Sequence, residues 1–350
     1  MDESRVRQIR IVGARALRQA ASRTSGVTSG MKSGMKSGMK SGMKSREARP
    51  TRPDFHLSPY RRCVVSQSEQ EVSQTVPLEA WLDKTETLTD EITSFPLRAL
   101  AATLDRDAPG NAVPPLWHWL YFLPVAPLAQ VGADGHPKRG GFLPPVALPR
   151  RMWAGGRLTF HAPLRVGETA QRTSTIANIE DKTGRSGRLV FVTVQHRYES
   201  AGALCIEEEH DIVYRDAPQP GASAPKPIVA PADNTWSRTL VGDPVMLFRY
   251  SALTFNGHRI HYDFPYVTQE EGYPGLVVHG PLIATLLLDL VHRERPDGTV
   301  ASFAFRAVRP TFGGNAFTLC GKPVGDGRTI ELWAKDHDGY LTMQATATLA

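Results

Sequence analysis

Alternating apolar and polar residues fill two long stretches of the chain, and each stretch follows a segment with helix-like spacing. The first stretch contains four strand-like segments, at 157–161, 171–176, 189–198 and 203–214. The second contains four more, at 299–309, 315–322, 329–335 and 341–349. A period of two, interrupted by glycine-containing turns, is typical of antiparallel strands that bury one face. The pattern therefore predicts two antiparallel sheets built on one repeated plan.

Helices are predicted ahead of both sheets. In 78–104 apolar residues recur at helical intervals, and 87–91 (Thr-Leu-Thr-Asp-Glu) has the form of a helix start. In the second half a strand-like segment at 237–241 comes before a helix predicted at 281–292. A helix laid across a curled sheet buries one face of each element. We therefore expect an α+β fold whose two halves pair sheet edge to sheet edge and leave a cleft.

The composition divides the chain into four parts. Residues 1–75 hold four Ser-Gly-Met-Lys repeats and carry 15 basic against 6 acidic residues, so we expect a disordered basic tail. A first half at 76–215, a Pro/Ala-rich linker at 216–236 and a second half at 237–350 follow. The tail is either a basic tether to membranes or nucleic acids, or an expanded coding repeat or over-extended start, and we prefer the second interpretation.

The charge balance argues against a nucleic-acid-binding function. Residues 76–350 carry 26 basic and 29 acidic residues, so the basic excess of the chain belongs to the tail. The longest apolar run, at 282–291, is too short to cross a bilayer. Three cysteines far apart in sequence predict neither disulfides nor a zinc site. We expect a cytoplasmic protein with no membrane or nucleic-acid partner, which could form a homodimer.

Polar groups suited to acid–base chemistry are concentrated shortly before the second predicted helix. Asn256, His258, His261 and Asp263 lie close together and precede a Gly-Pro helix start. Histidine can move protons near neutral pH, whereas asparagine can orient a water but cannot accept its proton. Two histidines three residues apart also resemble part of a metal site, but no third ligand has helical or hairpin spacing, so we predict no metal. A plain surface loop is the remaining alternative.

A loop-rich segment at 135–156 combines basic and aromatic residues. Lys138, Arg139, Arg150 and Arg151 can bind phosphate groups, while Trp153 can cover an adenine or an acyl chain. This combination favours a wall that binds a large anionic ligand. The alternative is a proline- and glycine-rich connection whose aromatic residues fill the core.

Four long strings resemble one enzyme family. They are Pro-Leu-Trp-His-Trp-Leu-Tyr-Phe from residue 115, Asp-Gly-His-Pro-Lys-Arg-Gly-Gly-Phe-Leu-Pro-Pro from 134, Arg-Met-Trp-Ala-Gly-Gly from 151 and Phe-Asn-Gly-His-Arg-Ile-His-Tyr-Asp from 255. They are similar to the MaoC-like double-hotdog branch of mesaconyl-C4-CoA and itaconyl-CoA hydratases and mitochondrial-type 3-hydroxyacyl-thioester dehydratases. The resemblance covers roughly residues 76–350. It implies a double hotdog, with two antiparallel sheets each wrapped around a helix.

The resemblance also implies a hydro-lyase that acts on an enoyl-CoA, with CoA as part of the substrate and no separate cofactor. The single-domain hydratases carry the motif Asp-x-Asn-Pro-aliphatic-His, which falls on Asn256, His258, Arg259, Ile260 and His261. The family's aspartate is therefore an asparagine here. We expect His261 to be the base and Asn256 to orient the water, with Asp263 as the reserve carboxylate.

Further residues complete the predicted site. The backbone N–H of Gly280 at a helix start would stabilise negative charge on the thioester oxygen. Arg249 or Arg259 would receive a carboxylate of the substrate, although Arg259 could instead only form a salt bridge with a neighbour. His258 and His279 would also lie against the substrate, although His279 could instead brace the turn.

Two other functions stay open from the sequence. A 3-hydroxyacyl-ACP dehydratase would share the mechanism but would need a longer acyl tunnel and a patch that docks an acidic helix. A non-catalytic acyl-CoA-binding protein is the other alternative, because Asn256 stands where the family has a proton-accepting carboxylate.

Overall fold

The computed structural model of the chain describes residues 77–184, 187–217 and 226–350. The predicted tail at 1–75 and residues 218–225 of the predicted linker lie outside these ranges. The strands are β1 (Thr85–Glu91), β2 (Arg150–Phe160), β3 (Thr169–Gly184), β4 (Gly187–Ser200), β5 (Ala203–Arg215), β6 (Trp236–Val241), β7 (Val300–Ala307), β8 (Ala316–Val324), β9 (Thr329–Lys335) and β10 (Leu341–Leu349). The α-helices are α1 (Ser94–Thr103), α2 (Pro244–Leu253), α3 (Phe264–Gln269) and α4 (Gly280–Glu294).

All ten strands belong to one antiparallel sheet. Its order is β1-β3-β4-β5-β2-β7-β10-β9-β8-β6, so the first five strands form one half of the sheet and the last five form the other. The halves meet where β2 pairs with β7, with Gly156 opposite Phe305. The predicted α+β architecture and the edge-to-edge pairing of two sheets are therefore confirmed. The strands β3 to β5 and β7 to β10 were all visible in the sequence as alternating segments.

Glycines make the junction between the two halves possible. A Cβ atom on Gly155 would lie 2.5 Å from the carbonyl oxygen of Phe305, and one on Gly156 would lie 2.9 Å from that of Glu209. Only a residue without a side chain lets the neighbouring backbones approach this closely. The prediction that the loop extends to residue 156 is wrong for 150–156, because these residues form the start of β2.

The predicted helix start at 87–91 is also wrong. Thr85, Thr87 and Thr89 belong to β1 and pair with β3, so the threonine and acidic residues interpreted as a helix cap lie on an edge strand. β-Branched residues fit an exposed strand as well as a helix start, and only the partner strand decides between them. The helix of this region, α1, begins later, at Ser94.

The second half wraps its sheet around α4. Every residue from Leu282 to Val291 is buried, and the helix packs against β6, β8, β9 and β10. A helix that is apolar on all sides is stable only in such a buried position. Among the described helices, none combines the length and the apolar character needed to cross a bilayer.

The one acidic side chain in the middle of α4 is neutralised by arginines. Asp289 is buried, and its carboxylate lies 2.5 Å from Arg106, 2.7 Å from Arg238 and 2.8 Å from Arg293. A buried carboxylate without partners would destabilise the fold by several kcal/mol. This ion cluster connects α4 to the segment that follows α1 and to β6.

In the first half, the segment 116–122 packs on the sheet with a short 3-10 helix, Trp117–Leu120. The ring of Phe122 lies edge-on to that of Tyr198 on β4, and Trp119 Nε1 donates to Glu208 of β5 over 3.0 Å. One apolar core contains Trp117 of this segment together with Leu282 and Phe303 of the second half.

Candidate active site

His261 lies at the end of a short 3-10 helix, Arg259–His261, between α2 and α3. Its Nδ1 donates a hydrogen bond to the carbonyl oxygen of Val277 over 2.7 Å. A carbonyl only accepts, so the proton is held on Nδ1 and Nε2 presents a lone pair. The side chain is 7% exposed, and burial lowers its pKa to about 4, so the ring is neutral at pH 7. His261 is therefore set up to accept a proton.

His279 packs against the ring of His261. The two imidazole rings are stacked, with centroids 3.6 Å apart and an angle of 18° between their planes. Nε2 of His279 lies 2.8 Å from Ser251 Oγ, and the side chain is fully buried. Burial, with the neighbouring histidines adding to it, holds the pKa of His279 well below its usual value. Of the two predicted roles for His279, this position fits a neutral brace for the catalytic ring.

Gly280 is the first residue of α4, one residue earlier than the predicted helix start at Pro281. Its backbone N–H forms no hydrogen bond with any residue that the structure describes. A Cβ atom added to Gly280 would lie 3.9 Å from its nearest neighbour, Met343 Cε, which is an ordinary van der Waals contact. The positive end of the helix dipole lies at the same point. The role of Gly280 in stabilising an oxyanion stays a prediction.

Asn256 is fixed by its own backbone and by one side-chain bond. Its N–H donates to the carbonyl of Ser251 over 2.8 Å, and its Oδ1 accepts from the N–H of His258 over 3.0 Å. Within the described part of the chain its Nδ2 amide group has no hydrogen-bond acceptor. This amide can therefore donate to a water or to the substrate.

Replacing Asn256 by alanine should lower catalytic activity by about 10-fold to 100-fold, because an amide that can orient a reacting water is lost. The expected signature is a fall in kcat larger than any rise in KM, measured by steady-state kinetics. An unchanged rate would remove Asn256 from the reaction. Asn178→Ala, at an exposed position on β3, is a suitable control.

Asp263 and Arg259 bind each other. Nε and Nη2 of Arg259 lie 2.9 and 2.8 Å from Asp263 Oδ2, while Oδ1 accepts from the N–H of Tyr266 and caps α3. The Tyr266 N–H and the Arg259 guanidinium lower the pKa of Asp263. Both carboxylate oxygens are thus engaged, which favours Asn256 over Asp263 as the partner of His261.

A loop from the first half of the chain docks directly on the loop that carries His258 and His261. Arg259 donates from its backbone N–H to the carbonyl of Asp134 over 2.9 Å and from Nη1 to the carbonyl of Ala133 over 3.0 Å. Gly135 and Gly257 meet at this contact, where a Cβ atom on Gly135 would lie 1.8 Å from the carbonyl oxygen of Gly257. The candidate site is therefore built from both halves.

The docked loop adds two groups that sequence reasoning missed, Asp134 and His136. The Asp134 carboxylate accepts from the backbone N–H of His136 over 3.0 Å and lies 3.1 Å from its Nδ1. The His136 ring is 4.1 Å from that of His258, which is 5.5 Å from that of His261. The only sequence signal was the Asp-Gly-His string itself, because its contact with residue 258 depends on the fold.

Burial sets the protonation of this cluster. It lowers the pKa of His258 to about 2 and also lowers that of His136. Burial alone would raise the pKa of Asp134, but the hydrogen bonds that it accepts from His136 hold it well below its usual value. At neutral pH both imidazoles are therefore uncharged and the carboxylate is ionised.

Asp134, His136 and His258 also have the donor types of a metal site, with ligand atoms all within 4.8 Å of one another. Of the predicted pair His258 and His261 this triad contains only His258, and its other two members come from a loop of the first half of the chain. Both Asp134 oxygens already bond to His136, so this triad is satisfied without a cation. The absence of a metal from the reaction stays a prediction.

A cleft of about 390 Å³ opens beside His136, lined by Asp134, Lys138, Arg139, Arg150 and Arg151 among others. Arg139 donates to the carbonyls of Val146, Leu148 and Pro149, so it holds the loop together. Arg150 is paired with Glu271. The predicted basic wall therefore exists, although two of its arginines are engaged in structural bonds.

Five of the predicted substrate-binding residues do not line this cleft: His258, Arg259, His279, Trp153 and Arg249. Trp153 packs among the rings of Trp119, His210 and Phe305, as in the alternative in which the aromatics fill the core. Arg249 is exposed on α2. Neither side chain lines the cleft.

Comparison with known proteins agrees with this architecture. The sequence profile described as hydroxyacyl-thioester dehydratase type 2 matches residues 116–313. The chain is 50% identical over 279 residues to the mesaconyl-C(4)-CoA hydratase of Chloroflexus aurantiacus, an alignment that covers 77% of this chain and 97% of the relative. It is 28% identical over 273 residues to the mitochondrial hydroxyacyl-thioester dehydratase type 2 of Schizosaccharomyces pombe, covering 68% and 90%.

Solved structures show the same fold at low identity. A MaoC-like dehydratase from Phytophthora capsici has a TM-score of 0.57 at 15% identity, covering 79% of this chain and 99% of that one. HtdX of Mycobacterium tuberculosis has a TM-score of 0.55 at 18% identity, covering 75% and 98%. The predicted double-hotdog fold is confirmed by these likenesses. With a profile match over more than half of its length, the chain belongs to the hydroxyacyl-thioester dehydratase type 2 family.

Proposed function

We propose that this hydro-lyase adds water to an α,β-unsaturated acyl-CoA thioester of the mesaconyl-C4-CoA type. The observation that carries the proposal is the geometry of His261, whose Nδ1 is bonded to the Val277 carbonyl so that Nε2 is a free base. The identity to a curated mesaconyl-C(4)-CoA hydratase supports the substrate class.

The reaction needs a base, a positioned water and a place for negative charge. Nε2 of His261 takes a proton from a water that the Asn256 amide orients, and the water oxygen bonds to the β-carbon. The electron pair of the double bond moves toward the thioester oxygen, where the Gly280 N–H stabilises the enolate. The proton on His261 then passes to the α-carbon, which restores the neutral ring.

A spectrophotometric assay tests this function. Hydration removes the conjugation between the double bond and the thioester, so absorbance should fall when purified protein meets mesaconyl-C4-CoA. Crotonyl-CoA, which has the same conjugated thioester without a carboxylate, is the comparison substrate. If neither thioester loses absorbance and no hydroxyacyl product is found by mass spectrometry, the proposed function is wrong.

Dehydration of a 3-hydroxyacyl thioester is the second candidate, favoured by the family match and by the Schizosaccharomyces pombe relative. The same groups would act in reverse, with His261 removing the α-proton. Assays with 3-hydroxybutyryl-CoA and 3-hydroxybutyryl-ACP would separate the two carriers. A preference for the ACP substrate would favour fatty-acid synthesis over CoA chemistry.

Activity should depend on pH through His261. Its pKa is lowered to about 4, so Nε2 can accept a proton at neutral pH and loses this ability as the pH falls through 4. We expect kcat/KM to be level above about pH 5 and to fall tenfold per pH unit below the pKa. A titration near pH 6.5 would mean that another group controls the rate.

A control for acid unfolding is needed in that experiment. A histidine whose pKa is lower folded than unfolded stabilises the fold above the unfolded value of 6.5, and this stabilisation is lost as the pH falls toward 4. Far-UV circular dichroism at each pH would separate loss of the base from loss of structure.

A further inference from the structure

A monothioester of an unsaturated dicarboxylic acid differs from a fatty enoyl thioester by one free carboxylate beside the double bond. Burying that carboxylate without a partner would be costly, whereas a guanidinium can hold it through two charge-assisted hydrogen bonds. A site for such a substrate therefore needs a cation near the histidines that no acidic residue already neutralises.

The arginines that the sequence suggested for this task are committed elsewhere. Arg259 is paired with Asp263, and Arg249 is exposed on α2 outside the cleft. Two cleft arginines are also engaged, since Arg150 binds Glu271 and Arg139 donates to three backbone carbonyls. These contacts leave one further arginine on the cleft wall.

That residue is Arg151, half-buried near the start of β2. Across the described ranges it forms no ion pair with any carboxylate. The acidic residues of the cleft have other partners or positions: Asp134 bonds to His136, Glu271 pairs with Arg150, and Glu270 is exposed. The guanidinium of Arg151 thus lines the cleft without a carboxylate as its ion-pair partner.

A buried tyrosine lies next to Arg151. Tyr214 is its direct partner across the β2–β5 ladder, so both side chains are on one face of the sheet. The Tyr214 side chain is fully buried and does not line the cleft, and its hydroxyl lies beside the Arg151 guanidinium. Tyr214 therefore supports the guanidinium from the buried side, while Arg151 itself lines the cleft.

Arg151 is also close to the histidine cluster. Burial is the main cause of the low pKa of His136 and of His258, and the positive charge of Arg151 lowers both further. These rings lead to His261 through contacts of 4.1 and 5.5 Å between ring centres. A carboxylate held at Arg151 would therefore lie in the cleft that His136 also lines.

We propose that Arg151, positioned by the buried Tyr214 beside it, binds the free carboxylate of a dicarboxylic monothioester and so selects this substrate class over fatty enoyl thioesters. The inference rests on the proposed function, because it concerns the same site. It adds to that function the residue that determines substrate specificity.

The test compares two substrates that share CoA and differ in the carboxylate. Arg151→Gln should lower kcat/KM for mesaconyl-C4-CoA by roughly 30-fold or more, mainly through KM, and change that for crotonyl-CoA by less than about threefold. Arg151→Lys should lose less, because it keeps the charge but not the two-pronged geometry. Tyr214→Phe should show a smaller loss with the same substrate dependence. Arg98→Gln, exposed on α1, is the matched control and should change neither value.

Wild-type protein gives an independent check if the variants fold poorly. The methyl ester of the free carboxylate in mesaconyl-C4-CoA should be a much weaker substrate than the acid. Equal losses on both substrates in Arg151→Gln, or equal turnover of acid and ester by the wild type, would overturn the assignment of Arg151.

These outcomes differ from failure of the proposed function itself. A wild type that hydrates no thioester would refute the hydratase proposal. In that case calorimetry in a His261→Ala background still decides the role of Arg151, because mesaconyl-C4-CoA should bind at least about tenfold more weakly when Arg151→Gln is added. Equal binding of the two proteins would refute it.

Discussion

Replacing His261 by alanine should lower the hydration rate by about 10³-fold or more, because the group that accepts the proton of water is lost. The neighbouring His258 is a poor substitute, because burial lowers its pKa to about 2. His279 is fully buried beneath the ring with Nε2 bonded to Ser251, and Asn256 cannot accept a proton. The measurement is kcat with mesaconyl-C4-CoA at pH 7, together with CoA-thioester binding by calorimetry.

Binding and fold should survive this change. His261→Gln is a useful companion, since its amide can still donate to the Val277 carbonyl while offering no base. His292→Ala, exposed in the last turn of α4, is the matched control and should retain full activity. Substantial turnover by a folded His261→Ala protein would remove His261 from the mechanism.

Gly135→Ala should reduce activity by about 100-fold or more although residue 135 belongs to the half without His261. A Cβ atom there would lie 1.8 Å from the carbonyl oxygen of Gly257, and Gly135 has a φ of +90°, a conformation that alanine rarely adopts. The docked loop must therefore move away from the loop that carries His258 and His261. Displacement of catalytic groups by about 1 Å can cost 10²-fold in rate.

The stability of the fold should fall as well, by about 1–3 kcal/mol from the forced overlap. Gly141→Ala is the matched control, because it lies in the same segment, has open space around its Cβ position and has an unstrained φ. Kinetics and thermal melts of both variants would separate the two effects. Equal activity of Gly135→Ala and Gly141→Ala would show that the contact between the loops has no part in catalysis.

The sheet was largely predictable because its signal is local. Strands such as β9 and β10 alternate apolar and polar residues along their length, and this follows from one buried face. α4 was equally clear as an apolar run after a Gly-Pro start. β1 was mistaken for a helix start because its threonine and acidic residues suit both structures, and pairing with β3 decides the outcome.

The candidate site was predictable only where it is contiguous in sequence. His261 and Gly280 could be assigned because a motif and a helix start carry them. Asp134 and His136 could not, since they reach His258 through a contact between glycines more than 100 residues apart. The sequence also could not predict which arginines are paired with a carboxylate, because it shows each charge but not the partner that neutralises it.

The domain boundaries, the tail, the homodimer and the cytoplasmic location stay predictions. Circular dichroism and size-exclusion chromatography of the whole chain and of a protein lacking residues 1–75 would address the tail and the oligomeric state together.

The apolar core that spans the sheet junction has a consequence for mutational tolerance. Leu100 and Trp117 of the first half share it with Leu282 and Phe303 of the second. The two halves therefore cannot lose their packing separately, and the protein is expected to unfold as one cooperative unit. A destabilising substitution in the core of the first half, which lacks His261, would therefore lower the cellular abundance of the whole protein.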